Sequence, residues 1–191
     1  MADPILLLRL EGPLQSWGIR SRWSRRDTGP DPSKSAIIGL LGCAAGILRP
    51  DWRSQEEPDK TLEQWDAIFR FGVRIDRPGS IETDYQTVRG PHWEARGVIK
   101  KSKDSVHPEQ SWRDYLHDSA FLVALSSEDH ELVRKLAGAL EHPEWPGDLK
   151  RPKWPIYLGR KACVPSRPIF DRLAEEYDDL EGALRSEPWA A

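Results

Sequence analysis

Cysteine is scarce in this sequence and carries no pattern. Cys43 and Cys163 are the only two among 191 residues, and neither sits in a CxxC. That spacing argues against a disulfide framework or a zinc site, and it suits a reducing, cytoplasmic setting. No apolar run approaches the roughly 18 residues that a membrane span needs, so no membrane association is expected. The opening MADPILLLRL has neither a basic leader nor a small-residue cleavage site, and no secretory signal is read from it. Nucleophile elbows of the G-x-S-x-G type and a Walker lysine motif are missing, and the glycines follow no dinucleotide pattern after a strand. The five histidines, His92, His107, His117, His130 and His142, show no metal-ligand spacing. No cofactor and no metal are therefore expected. Low-complexity tracts and internal repeats are also lacking. With 38% hydrophobic and 31% charged residues, what remains is a globular chain of one domain's length.

Acid slightly outweighs base, for a net charge of −3, yet the charge is unevenly spread. Residues 9–34 hold six Lys/Arg against three acids, residues 88–113 again six against three, and residues 150–172 seven against one. Residues 173–191 reverse the balance, with six acids and one Arg. Three basic segments in an acidic chain suggest one local site for a polyanion, the alternative being three solvated faces that never meet.

The continuous apolar run PILLLRL (4–10) reads as a buried strand that ends at Gly12-Pro13. A helix is expected near 33–48, with Pro32 in its first turn or Ser33 as its cap. Gly39, Gly42 and Gly46 would line one face of it for close packing on the sheet, and Cys43 would lie in the core. A short helix follows around LEQWDAI. FRFGVRID (69–76) and IETDYQTV (81–88) alternate like half-buried strands about a turn at Asp76-Arg77-Pro78-Gly79. Residues 89–113 form a long polar excursion. DSAFLVAL (118–125) is the next buried strand. An amphipathic helix comes after it, capped by Ser126 or Ser127, with Leu132, Val133, Leu136 and Leu140 on one stripe. The Pro-punctuated loop 143–168 contains IYLGRKAC, and a loosely ordered or helical acidic tail closes the chain. This order approaches the β-α-β-β-α-β of an α+β, ferredoxin-like domain, the frame also used by RNA recognition motifs. The aromatic signature of open-sheet base stacking is lacking.

The stretch GPLQSWGIRSRWSRRDTGPDPSKS sets Arg20, Arg22, Arg25, Arg26 and Lys34 around Trp17 and Trp23. Ser33-Lys34-Ser35 at a helix start offers N–H groups, hydroxyls and a cation to a phosphate, or simply caps the helix. Trp17, Trp23, Trp93 and Trp112, interleaved with arginines, are candidates for stacking unpaired bases or for the core. In YLGRK, Gly159 lets backbone approach a phosphate beside Arg160 and Lys161. A catalytic alternative is metal-independent RNA cleavage, with His92, His107 or His117 acting beside Lys100, Lys101 or Tyr115. The residue types are present, but no spacing singles them out.

Five segments, LLRLEGPLQSWG, PSKSAIIGLLGCAAGI, DYQTV, SWRDYLHDSAFLVAL and PIYLGRKACVPSRPIF, resemble in order the CasD-type subunit of type I-E CRISPR Cascade complexes, within the RAMP superfamily. The resemblance implies a single ferredoxin-like (RRM-like) RAMP domain over residues 1–191, with 89–113 as an inserted thumb and 171–191 as an acidic tail. It further implies a non-catalytic subunit that grips the 5′ handle of crRNA and caps the backbone subunits beside the large PAM-reading subunit, meeting target DNA through the complex. Gln15, Trp17, Lys34, Ser35, Tyr157, Gly159 and Arg160 fall on motif positions of that family. Arg20, Arg22, Arg25, Arg26 and Lys161 join them by charge and location, and Arg89, Arg96, Lys100 and Lys101 through the thumb. Relatives commonly continue with further strands after the equivalent of PSRPIF. In type I-C systems the related subunit is itself the nuclease that processes crRNA, which makes a processing endoribonuclease the alternative reading.

Overall fold

The computed structural model describes residues 3–20, 22, 24–47, 60–88, 109–142 and 156–190. Its spine is the strand β5, Glu109–Ser126, eighteen residues long. On one edge of β5 lies β1, Ile5–Gln15, antiparallel from Ile5 opposite Ser126 to Gln15 opposite Leu116. The two-residue β2, Arg25–Arg26, continues that edge in parallel beside Trp112 and Arg113. On the other edge run β3, Arg70–Arg77, and then β4, Ser80–Val88, both antiparallel to β5. The strand β6, Phe170–Ala174, pairs with the outer edge of β1. Four helices complete the chain: α1 (Lys34–Ala44), α2 (Thr61–Ile68), α3 (His130–Glu141) and α4 (Leu180–Ser186). The main sheet thus reads β3-β5-β1-β6 with antiparallel neighbours. With the α1 and α3 crossovers this is the ferredoxin-like α+β arrangement.

Buried residues of β1 feed two cores, which is why its sequence is continuously apolar rather than alternating. Leu6, Leu8 and Leu10 join Phe121, Val123 and Leu125 under α1 and α3, whereas Ile5 and Leu7 join Leu122, Ala124 and Ala183 under α4. Each enclosed leucine contributes about 1.5–3 kcal/mol relative to exposure. Val133, Leu136 and Leu140 form the buried stripe of α3, with Leu132 partly buried beside them.

Several expectations need correcting. The Asp76–Gly79 segment does not fold β4 back on β3. The two strands run end to end along β5, from Arg77 opposite Ala120 to Ser80 opposite His117. Gly79 (φ 68°) and Asp118 (φ 52°) absorb the irregularity on opposite strands. A Cβ on Gly79 would overlap the carbonyl of His117. The glycines of α1 do not share a buried face. Gly42 abuts Leu62 of α2 rather than the sheet, Gly39 faces open space, and Gly46 lies past the helix end at φ 74°. Cys43 is only partly buried. Ser33 is the cap of α1, accepting from the Ala36 N–H, and Asp129 rather than Ser126 or Ser127 caps α3. Residues 109–113, assigned to the excursion, belong to β5. Of the two forms expected for the acidic tail, the helical one holds in α4, and the strand β6 before it was not expected.

Candidate nucleic-acid interface

The end of β1 turns inward. Gln15 is fully buried, and its amide nitrogen donates to the carbonyls of Leu10 (2.9 Å) and Ser119 (2.7 Å). Its oxygen accepts from Trp17 Nε1 at 3.1 Å, and Trp17 is 2% exposed. Both were expected to contact RNA. The structure corrects this, because neither presents a surface to a ligand. A buried amide and indole must satisfy their polar atoms, and these two satisfy each other and the strand ends. They anchor the loop that follows. Trp17 N–H donates to Thr28 Oγ1 (2.8 Å), Gly29 N–H to the Trp17 carbonyl (2.6 Å), and Arg20 N–H to Asp27 Oδ1 (2.8 Å). Nearer the tip, Arg22 N–H donates to the Arg25 carbonyl at 2.9 Å.

That tip is held against β5 by backbone and by one buried carboxylate. Trp112 N–H donates to the Ser24 carbonyl at 2.8 Å. Asp114, 6% exposed, accepts from Arg25 at 3.3 Å through Oδ2 and from the Thr83 hydroxyl at 2.6 Å through Oδ1. From the third segment, Arg160 donates to the Arg26 carbonyl (3.0 Å) and, at 3.4 Å, to the Asp114 carbonyl. Its guanidinium also lies 4.9 Å from the ring centre of Tyr115, a cation–π contact. Gly159 makes this approach possible. It sits at φ 100°, where a Cβ would collide with the Ser16 carbonyl, while Ser16 N–H donates to the Leu158 carbonyl at 3.0 Å. Cys163 closes the same loop, its carbonyl accepting from Leu158 N–H at 2.8 Å, and burial pushes its thiol pKa up, away from a reactive thiolate.

Three segments far apart in sequence therefore converge: the arginine loop, the β4–β5 ribbon and residues 157–163. Arg20, Arg22, Arg26 and Lys161 are exposed, and among the described residues no acid or hydrogen-bond partner engages their side chains. Arg25 keeps a 63% exposed side chain despite its ion pair. Tyr157 is half-buried at the same loop. Lys34 and Ser35 are not joined to this cluster by any contact among the described residues. Lys34 Nζ donates to the Asp66 carbonyl at the end of α2, and Ser35 Oγ lies 3.3 Å from Ser33 Oγ. Arg89, Arg96, Lys100 and Lys101 lie outside the described residues, as do Trp23, Trp93, His92 and His107.

The sequence reading missed Tyr85, Asp114 and Arg113. Arg113 aligns with Arg26 of β2 and Asp84 of β4, and its Nε is buried without a partner. Strict alternation in SWRDYLH would have separated Trp112 and Asp114 from Arg113 and Tyr115, had the strand been started at 109 rather than 118. The site presents exposed guanidinium groups of the kind that pair with phosphate oxygens. Of the acid–base candidates, only Tyr115 and His117 lie among the described residues. Tyr115 is 4% exposed beneath Arg160, and His117 lies 3.9 Å from Glu82. Among the described residues no cluster of His, Cys, Asp and Glu could hold a metal ion, and no helix is long and apolar enough to cross a membrane.

A family model described as "CRISPR-associated protein (Cas_Cas5)" matches residues 5–191. The chain is 32% identical over 186 residues to "CRISPR system Cascade subunit CasD" of Escherichia coli (strain K12), covering 96% of this chain and 77% of that one. Among solved structures, it is similar to a chain of a "CRISPR RNA-guided surveillance complex" (TM-score 0.66, 33% identity, 87% of this chain and 61% of that one). It is also similar to a "Crystal structure of Cas protein" (TM-score 0.54, 37% identity, 87% of this chain) and spans 62% of that chain. The chain belongs to the CRISPR-associated Cas5 family.

Proposed function

We propose that this Cas5-family chain is a subunit of a Cascade-type surveillance complex, and that within it the chain binds crRNA without cutting it. The surface formed by the arginine loop, the ribbon and residues 157–163 grips the single-stranded 5′ handle, and the bound chain caps the row of backbone subunits beside the large subunit. Target DNA is met only through the assembled complex. The observation that carries this reading is the set of exposed Arg20, Arg22, Arg26 and Lys161 at one place where three segments meet. Exposed guanidinium groups are matched to phosphates, and proteins read RNA sequence mostly at splayed single strands. Kinship with a Cascade subunit supports reading that polyanion as the complex's own guide.

The test is incubation of the full chain with its cognate repeat RNA in EDTA, at low and moderate salt, with retention and cleavage read on one gel. Retained, intact RNA is expected. A single discrete cut that disappears in a His107→Ala or His92→Ala variant would replace this reading with the processing endoribonuclease.

A further inference from the structure

Two aromatic rings stand on the ribbon outside both hydrophobic cores. Tyr85 on β4 and Trp112 on β5 are directly opposite in register, their ring centroids 5.5 Å apart and their planes inclined at 52°. Tyr85 is 51% exposed and Trp112 39% exposed, and neither belongs to a core cluster. A tilted pair covers one ring edge with the other's face and leaves open ring surface toward solvent. Trp112 is also paired with Arg25 through the β2–β5 register, and Asp114, two residues along, holds the Arg25 guanidinium on that same face. Thr83, opposite Asp114, fixes the carboxylate from the other strand. The result is an open aromatic surface flanked by an oriented cation, at the edge of the arginine loop.

From this placement we infer that Tyr85 and Trp112 form a stacking platform for one unpaired base of the bound RNA, with Arg25 beside it for the adjoining phosphate. The inference rests on the RNA-binding reading above and adds a site to it. An apolar patch for a protein would fit less well here, because its border is cationic and its floor holds a buried carboxylate. Any base offers a π-face, so the platform is tolerant of base identity but demands that a base be present.

The probe is a fluorescein-labelled single-stranded RNA of about eight nucleotides, used beside the same ribose-phosphate chain with its central bases removed. Binding to the full-length protein is followed by anisotropy over a salt series. The wild type is expected to prefer the base-bearing strand, and Trp112→Ala to lose about 5- to 100-fold in affinity for it, with an unchanged salt slope. Binding of the abasic strand should hardly change. Trp112→Phe, which keeps a ring, should retain most of the affinity, and it keeps the test alive if the alanine variant does not fold. Tyr85→Ala should show a smaller loss of the same kind. If Trp112→Ala and Tyr85→Ala keep the wild-type preference while the wild type still binds RNA, the platform is wrong and the arginine reading stands. If these variants keep their RNA but lose association with a neighbouring subunit, a protein occupies the patch and the inference falls. A wild type that binds neither strand overturns both readings.

Discussion

Arginine does opposite work on two surfaces of this molecule. On the α4 face of the sheet, Arg9, Arg74 and Arg172 are all occupied. Arg9, 5% exposed, donates to Asp171 (3.2 Å) and the Pro188 carbonyl (2.9 Å) and lies within 4 Å of Asp76 and Glu187. Arg74 binds Asp76 at 2.6 Å, reaches the carbonyls of Leu184, Glu187 and Pro188, and stacks on Trp189 at 4.4 Å. Arg172 holds Glu176 and Glu187, and the Tyr177 hydroxyl donates to Glu187 at 3.0 Å. Burial foremost, then this bond to a carboxylate, raises the Tyr177 pKa. On the loop and ribbon side, the side chains of Arg20, Arg22 and Arg26 face water and pair with no acid among the described residues, Asp27 taking only the Arg20 backbone N–H. The difference lies in what each strand brings alongside. Where carboxylates are supplied, arginine closes the sheet under the C-terminal segment. Where they are withheld, it stays available to a phosphate. The sheet face that an RNA recognition motif leaves open for bases is closed here by protein.

This contrast can be broken in graded steps. The largest effect is expected from Arg9→Ala, which empties a buried site and takes one of two cations from each of buried Asp76 and Glu187, leaving them Arg74 and Arg172. It should cost about 3 kcal/mol in a urea melt and leave RNA affinity unchanged wherever the protein remains folded. A loss of RNA affinity in the folded variant would erase the distinction between the surfaces. Next comes Gly159→Ala, which forces a side chain into left-handed backbone against Ser16. About 1–3 kcal/mol of stability should go in strain alone, and RNA affinity should fall with it, because Arg160 loses its place over Tyr115. Unchanged thermal and binding curves would mean that the 157–163 loop does not shape the site. Third, Arg26→Ala should leave stability within about 0.5 kcal/mol while making the salt dependence of RNA binding shallower. The smallest effect concerns Asp3, whose carboxyl is held below the usual range chiefly by the hydrogen bond from His130, with Arg70 assisting. A lowered folded pKa contributes stability above the unfolded value, and that contribution disappears as pH falls through the folded one. Asp3→Asn should therefore be slightly less stable than wild type near neutrality, and the two should converge in acid. A gap that widened in acid would reverse the assignment.

The order of elements was legible because its signals are local. The apolar run of β1, the alternation of β3 and β4 and the stripe of α3 each lie within a dozen residues. What stayed hidden depends on distant partners. Phe170–Ala174 carries Asp171 and Arg172 and does not look like a strand until Arg9, 162 residues away from Asp171, and Glu187 neutralise them. Pro78-Gly79 reads as a reversal, and only the matching irregularity at Asp118 turns it into a bulge within one long edge. Motif positions told which residues matter around Gln15 and Trp17 but not which way they point. These two build the loop from within, and the exposed arginines came from charge counting. Asp114, which orients Arg25, carried no signal of its own, since a lone acid in SWRDYLH looks like surface.

The most direct test of the two-surface account is the slope of RNA affinity against salt for the full chain and the cognate 5′ handle RNA, measured for wild type, Arg22→Ala, Arg26→Ala and Arg172→Ala. The slope is expected to fall by about 0.7 for each loop arginine that meets a phosphate and to stay at the wild-type value for Arg172→Ala. Equal slopes in all four proteins, or a wild type that does not bind the handle, would contradict the account.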